Sequence, residues 1–220
     1  MENTIIRVEK LQKHYGSFLA LNVPQLSLEP GIHWVKGGNG SGKTTFFKTL
    51  AGLLPFEGSV IFNETLHLQK HPVDCRRIVN YGEAEPLYPA FVTGKDLIQL
   101  FADSKKADQD QVQTVMKALG VAAFAPQAVG TYSSGMLKKL SLVLAFIGQP
   151  KIILLDEPLI TLDVATVAIV YDLILEHQAR GTTFLISSHQ AFEDEKLAFN
   201  SILSVENQAI TKHNMHPHVL

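Results

Sequence analysis

The first half of the chain consists of short apolar stretches separated by polar turns. Where apolar and polar residues alternate with a period of two, or a short apolar run lies between turn residues, a strand is predicted. Predicted strands are TIIRVEKLQKHY (4–15), LALNVPQLSL (19–28), GIHWVKG (31–37), GSVIFN (58–63) and RRIVNYG (76–82). The apolar residues of KTTFFKTLAGLL (43–54) recur at helical spacing instead, so one helix is predicted within this half.

The second half predicts helices first and a strand–helix–strand unit after them. Predicted helices are GKDLIQLFAD (94–103), DQDQVQTVMKALG (108–120), GMLKKLSLVLAFIGQP (135–150) and DVATVAIVYDLILEHQARG (163–181). KIILLD (151–156) and TTFLISS (182–188) are continuous apolar runs, as expected of strands that are buried on both faces. SILSVENQAITKH (201–213) predicts a hairpin with its turn near Glu206 and Asn207.

These elements predict one α/β domain over residues 1–220. Residues 1–87 and 149–220 would form the α/β core. Residues 88–148 would form a helical insertion. The three histidines of the tail HNMHPHVL are interpreted as surface residues, and Lys138 and Lys139 as the surface of their helix.

Composition narrows the class of protein without identifying it. Hydrophobic residues make up 46% of the 220 residues and charged residues 18%, which is typical of a globular protein. The net charge of −2 gives no support to nucleic-acid binding. The single Cys75 excludes an internal disulfide. The N-terminus does not resemble a signal peptide, and the longest apolar stretch, residues 140–148, is about half of a membrane span. A soluble protein is expected.

A glycine-rich stretch, VKGGNGSGKTT, lies between the third predicted strand and the first predicted helix. Gly37, Gly42, Lys43 and Thr44 fit the pattern G-x-x-x-x-G-K-[ST] of a phosphate-binding loop. Glycine permits the backbone conformations and close approach that let N–H groups converge on an anion, and the helix N-terminus adds more N–H groups. Lys43 would reach the β- and γ-phosphates, and the Thr44 hydroxyl would ligate Mg²⁺. Nucleotide binding is therefore predicted.

Two adjacent carboxylates, Asp156 and Glu157, follow a predicted buried strand. An aspartate at the carboxyl end of such a strand can help to hold Mg²⁺. A second carboxylate beside it could orient or deprotonate an attacking water. A polar strand end is common, but the phosphate-binding loop earlier in the chain favours the functional interpretation.

Several short motifs, in order along the chain, resemble the ATP-binding cassette (ABC) ATPases. YSSGMLKKL resembles the family signature, usually LSGGQ, and precedes ILLDEP by about 20 residues. LITLD occupies the place of the loop that follows the acidic pair, and ISSH that of the switch histidine. KHYG places a tyrosine where the family stacks an aromatic ring on adenine. YGEAEPLYPAF resembles the loop that connects the core to the helical insertion.

The resemblance implies a fold, a mechanism and partners. The fold would be the P-loop NTPase core of an ABC ATPase, a mixed β-sheet flanked by helices, with an antiparallel β subdomain and an α-helical insertion. The cofactors would be ATP and Mg²⁺. Such cassettes work as head-to-tail dimers with two ATP molecules between them, each on the phosphate loop of one copy and under the signature helix of the other. Hydrolysis would loosen the dimer and move a transmembrane permease, so the protein would lie in the cytoplasm at the inner face of the cell membrane. No nucleic-acid partner is implied.

The resemblance also implies a role for individual residues. Tyr15 would stack on adenine. The phosphates would be held by Gly37, Gly38, Asn39, Gly40, Ser41, Gly42, Lys43, Thr44 and Thr45. Thr44, Asp156 and Glu83 would organise Mg²⁺. Glu157 would activate water, His189 would sense the γ-phosphate, and Asp163 would lie in the loop that communicates across the dimer. The partner's γ-phosphate would meet Ser133, Ser134, Gly135 and Met136.

Three residues depart from the family pattern. Glu83 stands where glutamine is usual, with Glu85 as the alternative if the motif is anchored differently. Ser134 replaces a glycine, which would be costly if that position requires a positive φ. Met136 replaces glutamine. A homodimer and a heterodimer with another cassette both stay open.

An ABC transporter ATPase, in an exporter, is the leading hypothesis for the function. The alternatives are a soluble ABC ATPase acting on ribosomes or DNA, another P-loop enzyme such as a small-molecule kinase, and a module that binds ATP but hydrolyses it poorly.

Overall fold

The computed structural model describes residues 4–188 and 196–215 and contains two β-sheets with helices around them. The strands are β1 (Ile6–Tyr15), β2 (Phe18–Leu28), β3 (Ile32–Lys36), β4 (Glu57–Phe62), β5 (Leu66–His67), β6 (Val79–Gly82), β7 (Ile152–Leu155), β8 (Thr183–Ser188), β9 (Ser201–Glu206) and β10 (Ala209–Asn214). The α-helices are α1 (Lys43–Leu50), α2 (Pro72–Ile78), α3 (Gly94–Lys105), α4 (Gln109–Ala118), α5 (Ser134–Phe146) and α6 (Val164–Ala179). Two short 3-10 helices cover Val121–Ala123 and Val129–Thr131.

The larger sheet has the strand order β10-β9-β3-β8-β7-β6. The strands from β9 to β6 are parallel, and β10 is antiparallel at the edge. In β7, Ile152 and Leu154 face one hydrophobic core, while Ile153 and Leu155 face another. Successive strand residues point to opposite faces, so a continuous apolar run fills both cores. This sheet brings the carboxyl ends of β6, β7 and β8 to one edge.

The smaller sheet is antiparallel, in the order β2-β1-β4-β5. Its apolar face packs with α1 and the larger sheet around a core that includes Phe46, Phe47 and Phe62, none of which is exposed. Because α1 is only eight residues long, this burial is what keeps it helical. The smaller sheet thereby fixes the position of the loop that precedes α1.

Helices α3, α4 and α5 lie in the chain between β6 and β7 and share the second core with one face of the larger sheet. Polar side chains cap the start of each of these helices, namely Thr93, Asp108 and Ser133. The subdomain boundaries at residues 88 and 148 stay a prediction.

The predicted strands and helices are present, but some of their bounds differ. Helices α1 and α5 end at Leu50 and Phe146, each four residues before the predicted ends at 54 and 150. Arg76–Ile78 belongs to α2 and not to a strand, so RRIVNYG contributes only its last four residues to β6. The hairpin turn lies at Asn207 and Gln208, one residue later than predicted, and both have the positive φ that a two-residue turn requires.

The switch histidine predicted at His189 lies outside the described residues, as do His216 and His218 of the tail. Of the helices in the described ranges, none combines the length and the apolar character that crossing a bilayer would demand.

Candidate functional site

The glycine-rich loop, residues 37–42, connects β3 to α1 as predicted. Gly42 precedes the helix with φ of 110°, a conformation that side chains with a Cβ rarely adopt. Gly37 has no space for a Cβ, which would lie 2.5 Å from Ser41 Oγ and 2.7 Å from the Val205 carbonyl oxygen. The sequence therefore needs glycine at both ends of the loop, and the loop ends at the N-terminus of α1, where free N–H groups favour an anion.

Lys43 is 6% exposed and lies across the loop. Its Nζ donates to the carbonyl oxygens of Gly37, at 2.8 Å, and Gly38, at 3.1 Å. The same Nζ lies 3.5 Å from Glu157 Oε1. One ammonium group thus connects the loop to the acidic pair, which is the position from which it can contact a phosphate held by the loop.

Asp156 is completely buried and accepts three hydrogen bonds. Thr44 Oγ1 donates to Oδ2 at 2.7 Å, and Tyr81 OH donates to the same oxygen at 3.3 Å. Ser187 Oγ donates to Oδ1 at 2.5 Å. Burial, and the negative charge of Asp156, raise the pKa of the Tyr81 hydroxyl, which therefore stays a donor. The carboxylate and the Thr44 hydroxyl together offer the oxygen ligands that Mg²⁺ prefers.

Glu157 follows with a φ of 46°, which is uncommon for a residue with a side chain. Its backbone N–H donates to Ser187 Oγ at 2.9 Å, so one serine on β8 holds both residues of the acidic pair. Glu157 is 9% exposed. Backbone strain of this kind is found where the surrounding structure aims a side chain, here towards Lys43.

Glu83 lies in the loop directly after β6, at the same sheet edge as Asp156. Its Oε2 is 4.0 Å from Lys48 Nζ on α1, and its backbone N–H donates to Ser141 Oγ at 3.0 Å. Burial raises the pKa of the Glu83 carboxyl; Lys48 opposes this shift and Asp156 adds to it. Glu85, the alternative position, is exposed.

Tyr15 ends β1 and is half exposed. Lys13 Nζ lies 4.8 Å from the centre of its ring, a cation–π contact that covers one face. The neighbouring strand β2 passes close to the phosphate loop, since a Cβ on Gly42 would lie 3.4 Å from the Ala20 carbonyl oxygen. The hairpin that carries Tyr15 thus contributes a strand that passes close to the phosphate loop.

The residues resembling the signature start α5. Ser133 is the N-cap and accepts a hydrogen bond from the Met136 N–H at 3.2 Å. Ser134 is the first helical residue and does not have a positive φ, so its Cβ causes no strain. Gly135 lies against the Thr161 carbonyl. Within residues 4–188 and 196–215, no hydrogen bond joins Ser133 to the phosphate loop of the same chain.

Two charged residues lie close to the signature-like residues, Lys138 within α5 and Asp163 at the start of α6. Lys138 was interpreted as helix surface; this is wrong, because it is only 2% exposed. Its Nζ donates to the backbone carbonyls of Glu83, Ala84 and Asp156. Asp163 caps α6, and hydrogen bonds from Thr166 lower the pKa of its carboxyl.

The comparison with family models agrees with this geometry. The model of the ABC transporter family matches residues 21–160, which include the phosphate loop, the signature-like residues and the acidic pair. The chain belongs to the ABC transporter ATP-binding family. The resemblance noted in the sequence is thereby confirmed.

Relatives match this ABC ATP-binding protein over most of its length. YybJ of Bacillus subtilis (strain 168), an uncharacterised ABC transporter ATP-binding protein, is 33% identical over 189 residues, which are 84% of this chain and 85% of the relative. SrtF of Streptococcus pyogenes, a lantibiotic transport ATP-binding protein, is 28% identical over 196 residues, covering 88% and 84%. A solved ATP-binding subunit of an ABC transporter superposes with a TM-score of 0.84 at 22% identity, covering 96% of this chain and 90% of that one. The predicted fold class is confirmed.

The structure also adds residues to the site of this ABC ATP-binding protein that the sequence did not single out. Tyr81, Ser187 and Lys138 all bond to Asp156, through its side chain or its carbonyl. Ser187 stands within the quoted motif ISSH, where only the histidine was assigned a role.

Proposed function

We propose that the protein is the ATP-binding and ATP-hydrolysing subunit of an ABC transporter. The observation that carries the proposal is the 2.7 Å hydrogen bond between Thr44 of the phosphate loop and Asp156. These residues are 112 positions apart in the chain. A hydroxyl and a carboxylate that meet beside a phosphate-binding loop form the arrangement that P-loop NTPases use for a nucleotide and its metal.

The triphosphate of ATP would be bound by the loop of residues 37–45. Its backbone N–H groups and the start of α1 attract the negative charge, and Lys43 contacts the β- and γ-phosphates. The hydrogen bonds that Lys43 donates to the Gly37 and Gly38 carbonyls would then be replaced by contacts with phosphate oxygens. Tyr15 would stack on adenine with the ring face that Lys13 leaves open.

Thr44 and Asp156 would hold Mg²⁺. Glu83, which follows the neighbouring strand β6, would be the third ligand. The fit rests on the chemistry of the donors, all of them oxygens. No group of three or more acidic, histidine or cysteine side chains in the described ranges could hold a metal alone, which suits an ion that shares its ligands with phosphates. When bound, Mg²⁺ would supply positive charge to the phosphates.

Glu157 would act as the general base for the attacking water. The strained backbone of Glu157 and its hydrogen bond to Ser187 fix its carboxylate next to Lys43, where the γ-phosphate would lie. His189 would contact the γ-phosphate and sense its loss. The expected products are ADP and phosphate.

A second cassette would complete each site. Ser133–Met136 form an N-cap and first helical turn that can contact an anion, and in the described residues they make no hydrogen bond to the chain's own phosphate loop. We propose a head-to-tail dimer, formed with a second copy of this chain, in which these residues contact the partner's ATP.

The membrane partner would be a permease that docks on residues 85–101. This range contains two strongly exposed apolar residues, Leu87 at 92% and Phe91 at 86%. The cassette would then lie at the inner face of the cell membrane. Outward transport is proposed on the likeness to a lantibiotic transport protein.

The decisive experiment measures phosphate release by the purified protein and by Glu157→Gln. We expect turnover to fall by about 100-fold or more, in the range that general bases contribute. Equilibrium binding of a fluorescent ATP analogue should stay within about twofold of wild type, because the phosphate loop is untouched. Glu176→Gln, an exposed carboxylate on α6, is the control and should hydrolyse normally.

Three other results would change the proposal. Unchanged turnover in Glu157→Gln contradicts the assignment of the general base. A wild-type protein that binds no Mg-ATP contradicts the proposed function as a whole. Tight binding without turnover in the wild type would favour the poorly hydrolysing module.

A further inference from the structure

A buried lysine connects the signature helix to the metal-binding edge of the sheet. Lys138 lies one turn after Ser134–Gly135 on α5 and is 2% exposed. Its Nζ donates to the carbonyl oxygens of Glu83 at 2.9 Å, Ala84 at 3.0 Å and Asp156 at 3.1 Å. An ammonium group has three hydrogens, so this set uses its whole hydrogen-bonding capacity.

Ser141, the next turn of α5 on the same face, acts on the same loop. It is 1% exposed, and its Oγ accepts the Glu83 backbone N–H at 3.0 Å. Together the two side chains bind both backbone polar groups of Glu83. Residues one turn apart on a helix lie side by side, so a single helix face makes these contacts.

The cost of burying an ammonium group indicates that the contact has a purpose beyond packing. A buried charge is expensive unless it is paired and fully hydrogen-bonded, and an apolar side chain would fill the same space at less cost. Burial lowers the pKa of Lys138, and the charges of Asp156, Glu157, Glu85 and Glu83 oppose this shift by favouring its charged form. Lys138 therefore places one positive charge behind an acidic cluster while tying together the segments that carry Glu83 and Asp156.

We propose that Lys138 and Ser141 are positioning residues that fix Glu83 relative to Asp156 and so set the affinity of the site for Mg²⁺. This inference rests on the proposed function. Neither residue touches the nucleotide; both act through the backbone of the loop after β6. Loss of the clamp, defined as Lys138 and Ser141, would separate the two carboxylates without changing the phosphate loop.

The test measures Mg²⁺ dependence in Lys138→Met. A fluorescent ATP analogue is titrated in EDTA and again at increasing Mg²⁺ concentration, and ATP turnover is measured over the same Mg²⁺ range. Affinity in EDTA should stay within about twofold of wild type. The Mg²⁺ concentration for half-maximal effect should rise by about tenfold, which corresponds to about 1.4 kcal/mol.

The chain offers a matched control in Lys105→Met. Lys105 is a partly buried lysine that donates to the backbone carbonyls of Arg76, in the last turn of α2, and Val79, at the end of β6 opposite Glu83. Burial lowers the pKa of Lys105 to about 8, as it does for Lys138. Both variants should lower the melting temperature, but only Lys138→Met should shift the Mg²⁺ dependence.

Ser141→Ala is the second variant, and it tests the proposal if Lys138→Met does not fold. It removes one acceptor with little change in volume, and a Mg²⁺ shift of about threefold is expected. Equal Mg²⁺ dependence in Ser141→Ala and wild type, or the same shift in Lys138→Met and Lys105→Met, would overturn the clamp. A wild type that binds no nucleotide under any condition would overturn the proposed function itself, and this inference with it.

Discussion

At the scale of single residues, His177 on α6 should make the protein sensitive to acid. It is 5% exposed and packs against Phe146, with ring centres 5.4 Å apart. Burial, together with the charge of Arg180, lowers the pKa of His177 to about 4. The unfolded chain takes up a proton below about pH 6.5 while the folded chain does not, so stability falls as the pH drops from about 6.5 towards 4.

The corresponding prediction concerns His177→Gln. Urea unfolding is measured at pH 7 and pH 5 for wild type and variant. The loss of stability between the two pH values should be smaller in the variant by roughly 1–2 kcal/mol, since each pKa unit corresponds to about 1.4 kcal/mol. His14→Gln, an exposed histidine on β1, is the control and should keep the full loss. Identical pH profiles for wild type and His177→Gln would contradict the prediction.

The sequence predicted the candidate site residues better than it predicted the residues that hold them in position. Thr44, Asp156 and Glu157 could be found because motif spacing carries their chemistry, and the structure brings them together, although their roles stay predictions. Ser187 could not be found, because its contact with Asp156 depends on how β7 and β8 pair. A lysine such as Lys138 is ordinarily a surface residue. Its place one turn before Ser141 and Leu142, on the apolar side of α5, was the available signal.

At the scale of elements, the start of α3 has a complete capping box. Thr93 Oγ1 accepts the Asp96 N–H at 3.1 Å, and Asp96 Oδ2 accepts the Thr93 N–H at 3.2 Å. Thr93→Ala removes the cap and should cost about 1 kcal/mol in urea unfolding. The control is Thr114→Ala on α4, whose hydroxyl bonds only within its own helix; it should change stability by less than about 0.5 kcal/mol. Equal losses in the two variants would show that the cap is not what stabilises α3.

The elements that the sequence predicted well are those with a distinctive apolar run or length. β7 and the start of β8 are short continuous apolar runs because both faces are buried, and α6, with 16 residues, is too long for a strand. Helix α2 was missed although Pro72 stands at its first position and Arg76 in its last turn, both of which are helix signals. It is only seven residues long, and its final Ile78 continues directly into the apolar start of β6, so strand and helix could not be separated by pattern.

At the scale of the whole molecule, the order of strands in the larger sheet is the feature that local sequence patterns do not predict. β3 pairs with β8, which follows it by about 150 residues, and β8 pairs with β7, so that the phosphate loop after β3 and the acidic pair after β7 lie at the same edge of the sheet. The resemblance to ABC ATPases supplied this arrangement, because the order of motifs along the chain implies the fold. Physical reasoning from the residues alone predicted an α/β core with one strand–helix–strand unit, but not the order of the strands in the sheet.

The last prediction concerns the proposed permease. Leu87 and Phe91 project from the segment before α3, and large apolar side chains exposed close together can form the buried centre of an interface. Leu87→Ser with Phe91→Ser should therefore weaken association with the membrane by about 30-fold, equivalent to about 2 kcal/mol, when the chain is produced in its host and the membrane fraction is assayed. ATP binding by the purified variant should be unchanged, because neither residue contacts the phosphate loop in the described structure. Leu53→Ser, an exposed leucine after α1, is the control and should stay with the membrane. If the double variant sediments with the membrane as the wild type does, the permease docks elsewhere or the cassette acts without one.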